Sequence, residues 1–251
     1  PSVSVALVEN GVVQWAQAFG SIDAKTGRAP TPETMFGIGS TSKVIATTAA
    51  MILVDRGLVS LDLPFANYAS GFSMQSPEAA DITVRMLLNH SSGFPGTEYR
   101  GSVLTARNPG YVDGVLETLA GSHLKHAPGD MNIYCNDGFT LVERLVSAVT
   151  GTDYATFVRD EIFAPLGMTH SRYPTGPFPA GSYAPEFNAD GSPMPQEYNN
   201  TFASGGLYST PSDLCRLLAM FANGGELGGV RVLSEASVRA MGVDQTIGKF
   251  K

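Results

Sequence analysis

Residues 36–43 read Phe-Gly-Ile-Gly-Ser-Thr-Ser-Lys, and residues 44–54 continue as Val-Ile-Ala-Thr-Thr-Ala-Ala-Met-Ile-Leu-Val, shortly before Gly57. Hydroxyl side chains in front of an apolar run and a glycine behind it are start and stop signals of a helix. The stretch is apolar over most of a helical circumference, which predicts a buried central helix of about four turns. At eleven residues, the run is too short to cross a membrane, which takes about 20 apolar residues.

The first turn of this predicted helix carries a Ser-x-x-Lys pattern, Ser40 and Lys43. Residues three apart share a helix face, so the lysine amine can take the hydroxyl proton of the serine and make it a nucleophile. The helix dipole disfavours a cation at this end, which favours a chemical role over a capping serine with a lysine that reaches solvent. A second copy, Ser122 and Lys125, runs into Pro128 without a following helix, and this favours a solvated loop.

Two β-rich segments, residues 3–9 and 12–19, are joined by Asn10-Gly11. Asn-Gly suits the positive φ angles of a type I′ turn, so the pattern predicts a β-hairpin. We expect Trp15 and Phe19 of the second segment in the core or on a face of the sheet. A two-stranded hairpin alone is marginal in water, so its partner strands should come from sequence beyond residue 251.

Most sequence patterns in the rest of the chain are typical of helices. Capping residues and apolar periodicity predict helices over residues 83–89, 112–119, 138–149, 154–163 and 211–223. Residues 172–200 contain six prolines and no periodicity, which predicts a long irregular segment. In a compact domain such a segment is often functional or forms the wall of a site.

The composition narrows the class of protein. The 251 residues are 43% hydrophobic and 16% charged, with a net charge of −7, which excludes collagen-like, disordered and disulfide-scaffold proteins. The acidic balance without a basic run argues against a nucleic-acid partner. Cys135 and Cys215 lack zinc-ligand spacing, and His123 with His126 lack a third ligand, so we expect no metal site.

A Tyr-x-Asn pattern also occurs twice, as Tyr134-Cys-Asn136 and Tyr198-Asn-Asn200. A tyrosine beside a lysine amine can act as a general base through its phenolate. An asparagine two residues further along an extended segment can hold a substrate carbonyl or amide. Either pattern by itself favours a surface tyrosine over a catalytic one.

Five blocks follow one another along the chain: residues 36–43, 82–95 (Ile-Thr-Val-Arg-Met-Leu-Leu-Asn-His-Ser-Ser-Gly-Phe-Pro), 127–136 (Ala-Pro-Gly-Asp-Met-Asn-Ile-Tyr-Cys-Asn), 162–168 (Ile-Phe-Ala-Pro-Leu-Gly-Met) and 203–213 (Ala-Ser-Gly-Gly-Leu-Tyr-Ser-Thr-Pro-Ser-Asp). Together they resemble the serine β-lactamase-related hydrolases, which comprise class C β-lactamases, D-peptidases and esterases with a β-lactamase fold. The resemblance implies an α+β fold of the β-lactamase/transpeptidase type, with an antiparallel sheet flanked by helices and a helical lobe. We expect residues 1–251 to form one such domain, with 1–57 and 203–251 in the lobe of the sheet and 58–202 in the helical lobe.

The resemblance also assigns roles to individual residues. Ser40 occupies the position of the acylated nucleophile, and Lys43 that of the lysine that activates it. Tyr134 matches the tyrosine that shuttles protons and helps activate the deacylating water, and Asn136 matches the substrate-contacting asparagine. Cys135 replaces the more usual Ser or Ala, and we expect it to be buried and inert.

The oxyanion of such a reaction needs hydrogen-bond donors. The backbone N–H of Ser40 at the helix start is one expected donor. The resemblance implies a second donor on a later strand with a Lys-Thr-Gly motif or a His- or Trp-containing variant, but no such motif follows residues 233–241. We therefore expect the chain to be a piece of a longer polypeptide, truncated at both ends, whose C-terminal strands are missing. His90 falls in a Leu-Leu-x-His-x-Ser-Gly block and is expected to support the loop beside the site.

These observations predict a serine hydrolase that cleaves small carboxylic esters through an acyl-enzyme on Ser40, with a small acyl substrate and without cofactor or metal. A D-amino-acid peptidase, a β-lactamase or an acyltransferase could use the same nucleophile. A non-catalytic scaffold with this fold is the alternative from another class of protein. The sequence leaves the oligomeric state and the compartment open.

Overall fold

The computed structural model describes residues 1–9, 11–23 and 25–245. Strands β1 (Ser2–Glu9) and β2 (Val12–Gly20) form the predicted antiparallel hairpin. Asn10 of the predicted turn lies outside the described residues. One face of the hairpin packs against a C-terminal helix, whereas the opposite face exposes apolar side chains, Trp15 and Phe19 among them. These two aromatic residues therefore lie on a sheet face and not in the core.

Nine helices follow within the described ranges. Their bounds are α1 (Ser42–Asp55), α2 (Val84–Leu88), α3 (Tyr111–Ala120), α4 (Asn136–Thr150), α5 (Tyr154–Val158), α6 (Ala164–Leu166), α7 (Phe202–Gly205), α8 (Pro211–Ala222) and α9 (Glu235–Met241). Short 3₁₀ turns cover Gly39–Thr41, Phe65–Asn67 and Pro77–Asp81. None of the helices in the described residues is long and apolar enough to cross a membrane.

Helix α1 lies at the centre of the core, as its composition predicts. Ten of its fourteen residues are buried, and Ile45, Ala46 and Leu53 have no exposed surface. The helix packs against α4 and α7. Gly57 follows its last turn with φ of +68°, a left-handed conformation that glycine adopts without a steric penalty. The apolar surface of α1 therefore holds this helix against α4 and α7.

Helix α4 is the second long helix of the core and ends at Gly151, which has φ of +72°. Near its start, Gly138 lets α4 approach α2 closely, because a Cβ atom there would lie 2.9 Å from the Leu87 carbonyl oxygen. The predicted helix over residues 154–163 is instead α5, a π-helical turn at Arg159–Phe163, and α6. Pro165 has no backbone N–H, which is one reason why a regular α-helix does not continue here.

Six further strands form two-residue antiparallel pairs: β3 (Phe36–Gly37) with β6 (Tyr208–Ser209), β4 (Val103–Leu104) with β5 (Tyr198–Asn199), and β7 (Glu226–Leu227) with β8 (Val230–Arg231). The pairing of β3 with β6 is extended by the Ile38 N–H, which donates to the Leu207 carbonyl at 3.0 Å. The pairing of β3 with β6 thus anchors the chain directly in front of α1. Residues 172–200 are largely irregular, as predicted.

Candidate active site

The start of α1 places Ser40 at the surface and Lys43 in the interior. Ser40 lies in the 3₁₀ turn that precedes α1 and is exposed, whereas Lys43 is 8% exposed. The turn is held by Ser42, whose hydroxyl donates to the Gly39 carbonyl at 2.7 Å and accepts the Leu207 N–H at 3.1 Å. The Ser42 hydroxyl therefore joins the turn to the segment before β6 and fixes the direction of the Ser40 side chain.

Three predicted catalytic side chains meet at Ser40. Lys43 Nζ donates to Ser40 Oγ at 3.2 Å, and the hydroxyl of Tyr134, 94 residues further along the chain, is hydrogen-bonded to Ser40 Oγ at 2.7 Å. The hydroxyl of Ser40 is therefore within proton-transfer distance of an amine and a phenol at the same time.

The amine of Lys43 has two further acceptors. Its Nζ donates to Asn136 Oδ1 at 2.8 Å and to the backbone carbonyl of Ser204 at 2.6 Å. As an ammonium group, Lys43 uses its three donors on three oxygens. As a neutral amine it keeps two N–H groups and one lone pair, and of its three partners only Ser40 can donate. The two carbonyl oxygens therefore take the N–H groups and direct the lone pair towards Ser40.

No carboxylate neutralises Lys43 in the described part of the chain, where none of the ion pairs includes it. Its Nζ lies 4.8 Å from the ring centre of Tyr134 and 5.4 Å from that of Phe139. Contacts with aromatic faces and carbonyl dipoles thus surround the group, and these stabilise a cation less fully than an ionised partner does.

The environment of Tyr134 favours its phenolate form. Desolvation raises the pKa of Tyr134, but its hydrogen bonds with Lys43 and Ser40 and the charge of Lys43 outweigh this and hold the pKa below its ordinary value. More than half of the side chain, 57%, is exposed. The hydroxyl is thus accessible to solvent and to a substrate while it contacts the nucleophile.

His90 holds the segment that carries Tyr134. Its ring lies 4.5 Å from the Tyr134 ring, its carbonyl accepts the Ile133 N–H at 2.8 Å, and its Nδ1 accepts the Cys135 N–H at 3.2 Å. Burial and the charge of Lys43 lower the pKa of His90, which keeps the ring neutral and Nδ1 able to accept. His90 has φ of +63°, a strained backbone for a non-glycine residue. This position agrees with the supporting role predicted for it.

Asn136 is the first residue of α4, and hydrogen bonds join residues 135–137 to residues 96–98. Its N–H donates to Thr97 Oγ1 at 3.1 Å, and the Cys135 thiol donates to the Gly96 carbonyl at 3.1 Å. Burial raises the pKa of this thiol, so Cys135 has little thiolate character. Both oxygens of Asp137 accept the Glu98 N–H at 3.1 Å. Residues 96–98 are in this way attached to the start of α4.

The duplicate patterns lie in other surroundings. The Ser122 hydroxyl donates to the Thr118 carbonyl at 2.7 Å, and no helix follows it. Asn200 Oδ1 accepts from Arg107 and from the Asn108 N–H, at 3.0 and 2.9 Å, which gives this asparagine a structural role. Within the described residues, no group of three or more His, Cys, Asp or Glu side chains is arranged to hold a metal ion.

Two features of the site were not predicted from the sequence. The first is the Ser204 carbonyl, a backbone acceptor whose only signal is its place in the block 203–213. The second is Glu143, a buried carboxyl on α4 whose Oε1 accepts the Ala203 N–H at 2.9 Å. A glutamate inside an amphipathic helix gives no sign that it faces the core, so its burial emerges only from the packing.

A cavity of about 610 Å³ lies beside the buried end of Lys43. Its walls are mostly apolar and come from α1, α2, α4, α8 and α9; they include Val44, Thr47, Met51, Leu88, Phe139, Phe221, Val238 and Met241. Val44, Thr47 and Met51 recur at helical spacing below Ser40, so this cavity runs along the face of α1 that carries the serine.

Comparisons with known proteins agree with this geometry. A family model described as Beta-lactamase matches residues 1–250. Penicillin-binding protein 4 from Amycolatopsis lactamdurans is 30% identical over 253 residues, which cover 96% of this chain and 65% of the relative. Across three curated relatives, the matched region amounts to between 46% and 65% of the relative's own length.

Two solved structures extend the comparison. The D-amino acid amidase from Ochrobactrum anthropi SV3, complexed with L-phenylalanine, has a TM-score of 0.77 and 26% identity, with 94% of this chain and 67% of that chain covered. The octameric penicillin-binding protein homologue from Pyrococcus abyssi has a TM-score of 0.74 and 26% identity, with 96% and 56% covered. These superpositions confirm the predicted fold class.

Proposed function

The chain belongs to the beta-lactamase family, and from this premise we propose that the protein is a serine hydrolase that forms an acyl-enzyme on Ser40. The observation that carries the proposal is the simultaneous contact of Ser40 Oγ with Lys43 Nζ and Tyr134 Oη, at 3.2 and 2.7 Å. A serine hydroxyl within hydrogen-bond reach of a base is the arrangement that activates a serine nucleophile.

In the acylation step, the neutral amine of Lys43 or the phenolate of Tyr134 takes the proton of Ser40, and Oγ attacks the substrate carbonyl carbon. The resulting oxyanion faces the start of α1, where the Ser40 N–H is one of the donors that have no partner inside the helix. Collapse of the tetrahedral intermediate breaks the bond to the leaving group, which takes a proton from Tyr134. The products are an ester on Ser40 and a free alcohol or amine.

Deacylation reverses these proton movements with water as the nucleophile. Tyr134 is exposed and its pKa is held low, so its phenolate can take a proton from water that reaches the acyl-enzyme. The tetrahedral intermediate then collapses, and Ser40 regains its proton from Lys43 or Tyr134. Asn136 Oδ1 is bonded to Lys43, which leaves its amide N–H groups to donate to a substrate carbonyl.

Small carboxylic esters are the substrates we propose, because an alcohol leaves a tetrahedral intermediate more readily than an amine with the same proton donor, and Ser40 is reached directly from solvent. Amides of D-amino acids are a second candidate. The similarity to the D-amino acid amidase favours them, and so does the Tyr134 hydroxyl, which can protonate a leaving nitrogen. The site gives less support to a non-catalytic scaffold, because burying Lys43 without a carboxylate partner among the described residues costs desolvation free energy that a scaffold has no need to spend.

The test uses the full-length protein that contains this chain, incubated with a fluorophosphonate that labels activated serines. We expect an intact-mass increase of one adduct, which peptide mapping places on Ser40, and loss of labelling in Ser40→Ala. Ser122→Ala is the matched control, because it removes the serine of the other Ser-x-x-Lys pattern, and it should label like the wild type. A folded wild-type protein without an adduct contradicts the proposal.

The substrate class is measured on the same proteins with p-nitrophenyl acetate, D-alanine p-nitroanilide and a chromogenic cephalosporin. Hydrolysis of the ester at the highest kcat/KM supports the first candidate, and a preference for the anilide supports the second. In either case Ser40→Ala should lower kcat by at least about 10³-fold.

A further inference from the structure

The short helix α7 begins without a cap from its own segment. The residue before it, Thr201, makes no side-chain cap bond, and its hydroxyl donates to Asn199 Oδ1 at 2.6 Å. Glu143 of α4 supplies the missing acceptor: its Oε1 takes the Ala203 N–H at 2.9 Å. The first turn of α7 is therefore held by a side chain that lies 60 residues away in the sequence.

Helix α7 carries an acceptor of the site. The Ser204 carbonyl, which follows Ala203 directly, accepts from Lys43 Nζ at 2.6 Å. The second acceptor of the same amine, Asn136 Oδ1, lies at the start of α4. Asn136 and Glu143 are two helical turns apart and share one face of α4. Helix α4 thus presents one acceptor itself and holds the other through Glu143.

We propose that Glu143 is a positioning residue for Lys43: by holding α7, it keeps the Ser204 carbonyl where the amine must place an N–H group, so that the amine lone pair points to Ser40. This inference rests on the proposed function of Ser40 and Lys43. Glu143 touches neither Ser40 nor the place of a substrate, and it acts only through α7.

The surroundings of Glu143 include charged and aromatic side chains. Glu143 is 7% exposed and borders a cavity of about 200 Å³ together with Arg107 and Arg144. The Arg107 guanidinium stacks on the Phe202 ring at 4.2 Å. Other titratable groups that face Glu143 are Asp153 and the tyrosines Tyr111, Tyr154 and Tyr173.

A purely stabilising cap is the alternative, and three variants separate it from positioning. Glu143→Gln keeps an oxygen for the Ala203 N–H, whereas Glu143→Leu removes it at similar volume. Val146→Ala, at a fully buried position of the same helix, removes apolar volume and leaves the hydrogen bond between Glu143 and Ala203 in place, and so provides the stability control.

Two measurements are made on each full-length variant: the rate of Ser40 labelling by the fluorophosphonate, and the hydrogen exchange of the α7 amides. We expect Glu143→Leu to label on the order of 10- to 100-fold more slowly and to lose protection at Ala203. Glu143→Gln should stay within about 3-fold of the wild type in rate, because the acceptor is retained. Val146→Ala should label like the wild type even where its melting temperature falls as far as that of Glu143→Leu.

Labelling of Glu143→Leu at the wild-type rate overturns the inference, and so does an equal slowing in Val146→Ala. If Glu143→Leu does not fold, Glu143→Asp takes its place, since it retracts the carboxyl by one methylene group and should slow labelling to an intermediate degree. A wild-type protein without label contradicts the proposed function. Exchange at Ala203 then still decides whether Glu143 holds α7, and unchanged exchange in Glu143→Leu overturns that as well.

Discussion

Glu143→Gln should have a higher free energy of unfolding than the wild type at alkaline pH. This difference should shrink as the pH falls and nearly vanish at acidic pH. Burial raises the pKa of Glu143 to about 8, although the Ala203 N–H, the charge of Arg107 and the Phe202 N–H oppose this. In the unfolded chain the same carboxyl ionises near its ordinary pKa of 4.5. Glutamine has almost the same shape and no charge, so the variant isolates the effect of ionisation.

The direction of the change in the free energy of unfolding depends on how many protons the folded and unfolded states bind. Between about pH 4.5 and pH 8, the folded protein retains the Glu143 proton and the unfolded chain releases it, so the free energy of unfolding falls as the pH rises through this window. Below the window both states are protonated, and above it both are ionised, so the difference is constant there. Because the pKa values of the two states are separated by this interval, about 1.4 kcal/mol per pH unit gives roughly 5 kcal/mol as an upper limit. Relaxation of the surroundings around a buried ionised carboxyl reduces this penalty, so we expect about 2–4 kcal/mol.

The assay is urea denaturation of wild type and Glu143→Gln at half-unit intervals from pH 4.5 to 9. The two proteins should have similar free energies of unfolding at pH 4.5. At higher pH the value for the variant should exceed that for the wild type by an amount that increases up to about pH 8.5. Other buried acids such as Asp137, whose pKa is about 6, contribute equally to both curves and cancel in the difference. Glu117→Gln, on the exposed face of α3, is the matched control and should show no such divergence. A constant difference between wild type and Glu143→Gln across the whole range refutes the reasoning.

Two further predictions concern the site and the core. Tyr134→Phe keeps the ring in contact with His90 but removes the hydroxyl from Ser40, so labelling of Ser40 should slow by about 10²–10⁴-fold at an unchanged melting temperature; an unchanged rate would contradict the role of the hydroxyl. Gly138→Ala should lower the free energy of unfolding by about 1–3 kcal/mol, because its Cβ would lie 2.9 Å from the Leu87 carbonyl oxygen. The matched change Gly114→Ala, inside α3 and with open space around its Cβ, should instead raise it by about 0.5–1 kcal/mol in the same denaturation series, and equal effects of the two changes would refute the packing argument.

The position of the site between α1, α4 and α7 explains how the amine of a buried lysine contacts the hydroxyl of an exposed serine. Lys43 is enclosed by carbonyl oxygens and aromatic rings, and in the described residues it forms no ion pair with a carboxylate. Ser40 stays at the surface because a 3₁₀ turn, held by Ser42, precedes the buried part of α1. A solvent-exposed hydroxyl and a shielded amine thus come from residues only three apart.

Local signals were sufficient for much of the fold. Thr210 and Pro211 predicted the start of α8, and the Thr210 side chain does accept the Asp213 N–H there. The central position of α1 followed from its apolar circumference, and the irregular course of residues 172–200 from their prolines. Such features can be read from sequence because capping, backbone restriction and apolar periodicity act between residues that are close along the chain.

Within the site, the sequence by itself determined the pair Ser40 and Lys43, because a helix start and a spacing of three residues place both side chains on one face. Tyr134 and Asn136 were separated from their duplicate, Tyr198 and Asn200, only by the resemblance to a family and not by their own pattern. Tertiary structure alone decided which acceptors orient the amine, since the Ser204 carbonyl lies 161 residues from Lys43 and a backbone carbonyl has no signature in a sequence. It also decided the place of Glu143, because the burial of a carboxyl depends on which face of α4 the rest of the chain covers.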